Sequence, residues 1–238
     1  MSVSSRPAGA WSLEHHAATC TAHGIRGALD LEHPERGLSL AAAAADGEQG
    51  DHVLGIELRS RPRLVDHWLR GGDLTAVYEP ADTRRLRTTA MWRTHACGRA
   101  AAWELVVSAQ TGLEQSDPAV AVVHDVTAAD LLVGVVQAGG IAWSPSPARV
   151  PDATSLVLLR GTRTSLLVAV HPTDRRRMLV TRSGPRTRVE CWLFSSALEK
   201  GVLLRSRVLA AVGPTADDTH WAGELVTEFN AAPPVLTT

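Results

Sequence analysis

Residues 63–80 read RLVDHWLRGGDLTAVYEP, and the Gly71–Gly72 pair at their centre decides how the rest is taken. Two adjacent glycines accept the positive φ angles of a primed two-residue turn, so the flanking runs become the arms of an antiparallel hairpin. With that turn, Arg70 faces Asp73, Leu69 faces Leu74 and Trp68 faces Thr75. Further out, His67 faces Ala76, Asp66 faces Val77 and Val65 faces Tyr78. Cross-strand partners share a face, and faces alternate along each strand. One face then carries Val65, His67, Leu69, Leu74, Ala76 and Tyr78. The other carries Leu64, Asp66, Trp68, Arg70, Asp73, Thr75, Val77 and Glu79. Asp66 and His67 diverge, which excludes them as an acid–base pair, and His67 reads as a core histidine with a backbone partner.

The same grammar recurs along the chain. Short runs rich in Val, Leu, Ala, Thr and Trp, cut by Gly, Pro, Asp and Asn, return roughly every ten to fifteen residues. They predict an all-β fold, a large antiparallel β-sandwich of about 12–16 strands with one short C-terminal helix. Gly161–Thr162 and Ser183–Pro185 mark two further hairpins. The helix is expected in DDTHWAGELVTEFN, where Trp221, Leu225 and Phe229 form a stripe at spacing four, with Asp217 and Asp218 at its positive end. Thr127–Gly140 has two readings. It opens like a capping box at Thr127 and Asp130, yet Val-Gly-Val-Val favours a strand. Strand-like runs continue on both sides of Ser144–Pro151, so residues 1–238 are read as one domain with a long loop there.

Composition narrows the classes. The chain is 45% hydrophobic and 21% charged with a net charge of -1, ordinary for a globular protein and without the basic excess that nucleic acid or an anionic membrane would call for. Lys200 is the only lysine. Met1–Gly9 shows no leader pattern and no run approaches a membrane span of ~20 apolar residues. Cys20, Cys97 and Cys191 are odd in number and lie in strand-like runs, as buried thiols of a reducing compartment do, so a cytoplasmic location is expected.

The mixed hairpin face is the leading site. Asp66, Trp68, Arg70, Asp73 and Glu79 combine an indole with charged groups, the means by which proteins stack on the C–H face of a sugar and hold its hydroxyls. With seven Trp against three other aromatics, recognition of a carbohydrate or similar polar small molecule is the favoured function. The other motifs point less sharply. His15, His16, Cys20 and His23 are zinc-binding residue types at a spacing that matches no metal signature, so no metal is expected. No phosphate loop or dinucleotide fingerprint is present, so neither is a cofactor. His124 and Asp125 are adjacent in a strand and diverge. Arg175, Arg177 and Arg188, with Glu190 as a partner, would line a polar strand face suited to acidic saccharides or phosphates.

ALDLEHPERGL (Ala28–Leu38) and FSSALEKGVLLRSRV (Phe194–Val208) resemble segments of large bacterial β-sandwiches of the galactose-mutarotase-like type. The resemblance covers about a tenth of the chain. It implies a carbohydrate-related role and places Glu199 and Lys200 at a strand end near the rim. The His and Glu pair that such epimerases use for ring opening has no obvious counterpart. An epimerase- or lyase-like enzyme is therefore the alternative function, with Asp66, Glu79, His95 and Glu199 as proton-transfer candidates. A third reading is a protein–protein interaction module using a sheet face or the helix around Trp221 and Phe229. The sequence leaves the oligomeric state open, and the charged strand edges read as protected ones.

Overall fold

In a computed structural model, residues 11–42, 50–96, 98–147, 150–151, 154–172 and 175–233 are described. Cys97, the Met1–Gly9 segment and part of the Ser144–Pro151 loop lie outside them. The chain first lays down β1 (Ser12–Glu14), β2 (Ala17–Ala22), β3 (Ile25–Asp30), β4 (Leu38–Ala42) and β5 (Asp51–Glu57) in one sheet. It then crosses to a second sheet for β6 (Pro62–Arg70), β7 (Asp73–Pro80), β8 (Leu86–Ala96) and β9 (Ala101–Thr111). The short β10 (Gln115–Ser116) leads back to the first sheet for β11 (Val120–Thr127). The second sheet next receives β12 (Asp130–Gln137), β13 (Gly140–Pro145), β14 (Leu156–Arg160) and β15 (Thr164–Val170). β16 (Arg175–Ser183) and β17 (Arg186–Leu193) close the first sheet, and β18 (Leu198–Glu199) pairs with β10. Finally β19 (Leu204–Pro214) enters the second sheet, and α1 (Asp218–Ala231) lies on its outer side. Among the described residues, sixteen of nineteen strands have five residues or more.

The first sheet runs β1-β2-β3-β4-β5-β11-β17-β16 and the second β13-β12-β14-β15-β19-β9-β8-β7-β6, with antiparallel pairing throughout. Within residues 127–140 the strand reading holds: Asp130–Gln137 form β12, hydrogen-bonded between β13 and β14, with Leu131 and Val133 buried in the core. Alternation is plain in β17, where Thr187, Val189, Cys191 and Leu193 turn inward and Arg186, Arg188, Glu190 and Trp192 turn out. The central β9 is buried almost throughout. One side faces the sandwich core and the other meets α1 or carries Glu104. Trp92 and Trp103 are fully buried, each removing roughly 150–250 Å² from water, worth about 4–6 kcal/mol. Their indole N–H groups are satisfied by the Leu54 carbonyl at 3.2 Å and the Cys20 sulfur at 3.2 Å. The helix stripe is covered. Trp221, Leu225 and Phe229 pack on Leu158, Leu167 and Leu209, so the apolar patch that an interaction helix would need is absent around them.

Gly71 and Gly72 have φ of 61° and 96°, as the primed turn requires. Gly37, at φ 69°, passes so close to β5 that a Cβ there would lie 2.5 Å from Gly55 N and Val53 O. Both the left-handed backbone and the overlap penalise a side chain. Gly37→Ala is expected to cost roughly 2–3 kcal/mol and lower Tm by about 4–12 °C, read by thermal melting. An unchanged Tm would mean that this crossing is loose.

Candidate functional site

The hairpin register runs as expected from Arg70–Asp73 out to Asp66–Val77. Beyond that it departs from expectation. A bulge absorbs Val65, so Leu64 faces Tyr78 and Arg63 faces Glu79. An extra residue on one strand bends it and shifts its remaining pairs by one. Leu64 therefore leaves the mixed face and Arg63 joins it, bonding Glu79 at 3.2 Å. Of the five residues singled out, Asp66, Trp68 and Arg70 stand on β6, the edge strand, and Asp73 and Glu79 on β7. Trp68 is 38% exposed. Asp66 accepts from the His67 N–H at 2.8 Å, Asp73 pairs with Arg93 at 3.2 Å, and Glu79 also pairs with Arg87 at 3.5 Å. They form an open surface.

Farther across the same outer face, the candidate His95 belongs to a group whose other members, Arg93, Glu104 and Arg207, the sequence reading missed. β8 and β9 pair Arg93 with Glu104, and Glu104 is 2% exposed. His95 Nε2 donates to its Oε2 at 2.8 Å, while Arg93 and Arg207 stand 3.7 Å from its two oxygens. Burial would raise this carboxyl, but the His95 hydrogen bond and the charges of His95, Arg93 and Arg207 outweigh it and hold the group below its ordinary value. Asp73 goes the other way, because burial and the Glu104 charge prevail over Arg93. Arg207 reaches the carbonyls of Phe229 and Ala232 at 3.5 and 3.3 Å and lies 5.1 Å over the Phe229 ring. It thereby closes the negative end of α1. The available signal was a lone acid inside the apolar strand AAWELVVSA.

Two recesses lie on the hairpin's other side. One of about 590 Å³ is bounded by His16, Glu32, Arg61, Arg63, Leu64 and His67. A second of about 540 Å³ shares Glu32, Arg61 and Pro62 with it. The two adjoin along those residues, and the first is the candidate groove. His16 is set by the β1–β2 turn, where His15 takes φ 53°. Its Nδ1–H donates to Glu32 at 2.9 Å. Glu32 is placed by a local turn in which Asp30 accepts from the Glu32 N–H at 3.0 Å and from His33 Nδ1 at 2.8 Å. Burial would raise Asp30, but those bonds, with the His33 and Arg36 charges, hold it low. His67 Nε2 donates to the His15 carbonyl at 2.8 Å, so it has the backbone partner expected, yet it is half-buried at the groove and outside the core. The two imidazoles meet edge to face at 5.1 Å. In the neutral tautomer that each of these bonds selects, His16 presents Nε2 and His67 presents Nδ1 as a lone pair. Nothing short-range links His16 and Glu32 to the stretch that carries Arg61 and His67, so their convergence is a product of the fold.

The remaining candidates separate. His124 is fully buried while Asp125 turns out to Arg186 at 2.8 Å. Cys20 sits in the core, its thiol pushed up to about 11 by burial, and Cys191 is also a buried free thiol. His23 is exposed at a turn. Arg188 is engaged by Glu57 and Glu190 at 2.6 and 2.9 Å, and Arg177 stacks 5.2 Å over Trp192. Glu199 is exposed in β18 and Lys200 in the turn after it. Among the described residues, no group of three or more His, Cys, Asp or Glu is placed to hold a metal, and no helix is long and apolar enough to cross a membrane.

No family model matches the chain, and no curated protein matches it by sequence. Solved structures that resemble it include two crystal structures. A galactose mutarotase-like protein from Lactobacillus casei ATCC 334 has a TM-score of 0.53 at 8% identity, covering 82% of this chain and 99% of that one. A protein assigned as an aldose 1-epimerase from Escherichia coli K12 has a TM-score of 0.46 at 10% identity, covering 87% and 99%. The first likeness, at that identity, concerns architecture alone. The chain has a galactose-mutarotase-like all-β sandwich fold, and no specific family is identified.

Proposed function

We propose that the chain recognises a carbohydrate or similar polar ligand in the groove beside the hairpin. The observation that carries this reading is the convergence of the Glu32-bonded His16, the His67 ring and Arg61 on one open recess of about 590 Å³. That size suits a small polar ligand. Leu64 and Pro62 offer apolar floor for C–H faces, and the ring nitrogens and guanidinium group offer directed partners for hydroxyls. Asp66, Trp68, Arg70, Asp73 and Glu79, on the opposite side of the same hairpin, are the second candidate surface. The whole chain acts as one domain in this reading, and its buried free thiols are in keeping with a cytoplasmic protein.

A panel of mono- and oligosaccharides, screened by thermal shift, tests it. A ligand at 100 times its Kd stabilises by about 2.7 kcal/mol. His16→Ala and His67→Ala are each expected to weaken binding about tenfold or more, and Trp68→Ala to leave it intact. Loss on Trp68→Ala alone would move the site to the outer face, and silence across the panel would retire sugar recognition.

A second reading is epimerisation at the anomeric carbon. His16 Nε2, with the ring oriented by Glu32, suits taking the proton of the anomeric hydroxyl and returning that same proton to the ring oxygen. Polarimetry on a freshly dissolved aldose decides it, with an uncatalysed rate of rotation change counting against the enzyme.

A further inference from the structure

The geometry points to a homodimer formed by antiparallel pairing of β6 with β6 of a second copy. Among the described residues β6 pairs only with β7, so its other edge is open. Edge strands are usually blunted by proline, bulges or charge. Here Pro62 and the bulge at Val65 protect one end, while Trp68 and Leu69 are 38% and 40% exposed at the other.

The main chain fixes which register is available. Residues flanking a two-residue turn exchange hydrogen bonds, and bonded pairs recur every second residue. Arg70, Trp68 and Asp66 therefore bond inward to β7, whereas Leu69 and His67 turn their N–H and C=O groups outward. Place a second copy antiparallel about a two-fold axis through Trp68. His67 then exchanges main-chain bonds with the second copy's Leu69, and Leu69 does the same in return. Trp68 faces its own counterpart at the close, non-bonded spacing that aromatic pairs favour. Asp66 faces the second copy's Arg70, twice, by symmetry. Charges that protect this edge against other strands are thus complementary to the strand itself. At present the outward N–H of His67 is occupied by the Asp66 carboxylate at 2.8 Å, a bond that a second strand would replace. The outer sheet faces of the two copies would join around the paired indoles, and on the groove side Leu69 of the second copy would stand beside His67.

Sedimentation velocity across a dilution series of the full chain tests it. The expected result is a reversible dimer of twice the monomer mass. Asp66→Arg opposes like charges and should raise the dimer dissociation constant by about tenfold or more. The double variant Asp66→Arg/Arg70→Asp restores the complementarity and should restore the dimer. Leu69→Pro removes an outward donor without touching the β7 ladder and should give a monomer with a near-native melt. A monomer at every concentration, or a dimer indifferent to all three variants, overturns the proposal.

Discussion

Moving from pH 7 to pH 4 will destabilise the fold by roughly 3 kcal/mol through His124 alone, and His124→Leu will abolish that loss. The imidazole is fully buried, and neither ring nitrogen has a hydrogen-bond partner among the described residues. Burial alone pulls its pKa from 6.5 to about 3. The sign follows directly. In this pH range the unfolded chain takes up the proton that the folded chain refuses, so stability is full above pH 6.5 and declines as pH falls towards 3, by up to about 5 kcal/mol. The substitution acts at neutral pH too. Two unsatisfied ring nitrogens cost about 1–3 kcal/mol, so His124→Leu should be more stable than the parent at pH 7 by an amount of that order. Carboxylates held low elsewhere add their own acid loss, so the measurement is the difference between the two proteins in urea titrations at pH 7, 5.5 and 4. Parallel stability curves across that range would refute the assignment.

Glu104→Gln should cost about 3–5 kcal/mol, because it leaves the guanidinium of Arg207, only 4% exposed, buried without its anion. The loss is expected to reach α1, since Arg207 also holds the last carbonyls of that helix. Replacing both partners removes the uncompensated charge, so Glu104→Gln/Arg207→Leu should be less damaging than the sum of the single changes. The carboxyl is lowered, so its contribution is present above its unfolded value near 4.5 and is lost as pH falls through its folded value. Denaturant titration of the three variants decides it. Additive costs, or a Glu104→Gln loss under about 1 kcal/mol, would show the cluster to be weakly coupled.

Much of the architecture was legible because it depends on local rules. Gly71–Gly72 named the turn, the turn fixed five cross-strand pairs, and alternation sorted their side chains. The Trp221, Leu225 and Phe229 stripe gave the helix, although only the fold reveals that β14, β15 and β19 cover it. Legibility stopped where the cause is not local. Nothing in Leu64-Val65-Asp66 announces a bulge, since no glycine marks it, and the outer pairs were accordingly assigned one residue out. The same limit applies to function. Asp66, Trp68 and Arg70 lie within a few residues of one another, and adjacency drew attention to them. The groove draws His16, Glu32 and the pair Arg61 and His67 from three separate segments. Arg207 meets Glu104 only because β19 docks beside β9.

The bulge at Val65 has one more implication. The ladder has no use for this residue: excising it would leave Leu64 against Tyr78, Arg63 against Glu79 and each side chain on its present side. What would change is curvature, because the kinked base of the hairpin would straighten and carry Arg61 and Pro62 with it. A single codon gained or lost there would reshape the mouth of the recess while sparing the interior, so this rim could drift in form at little cost to the core.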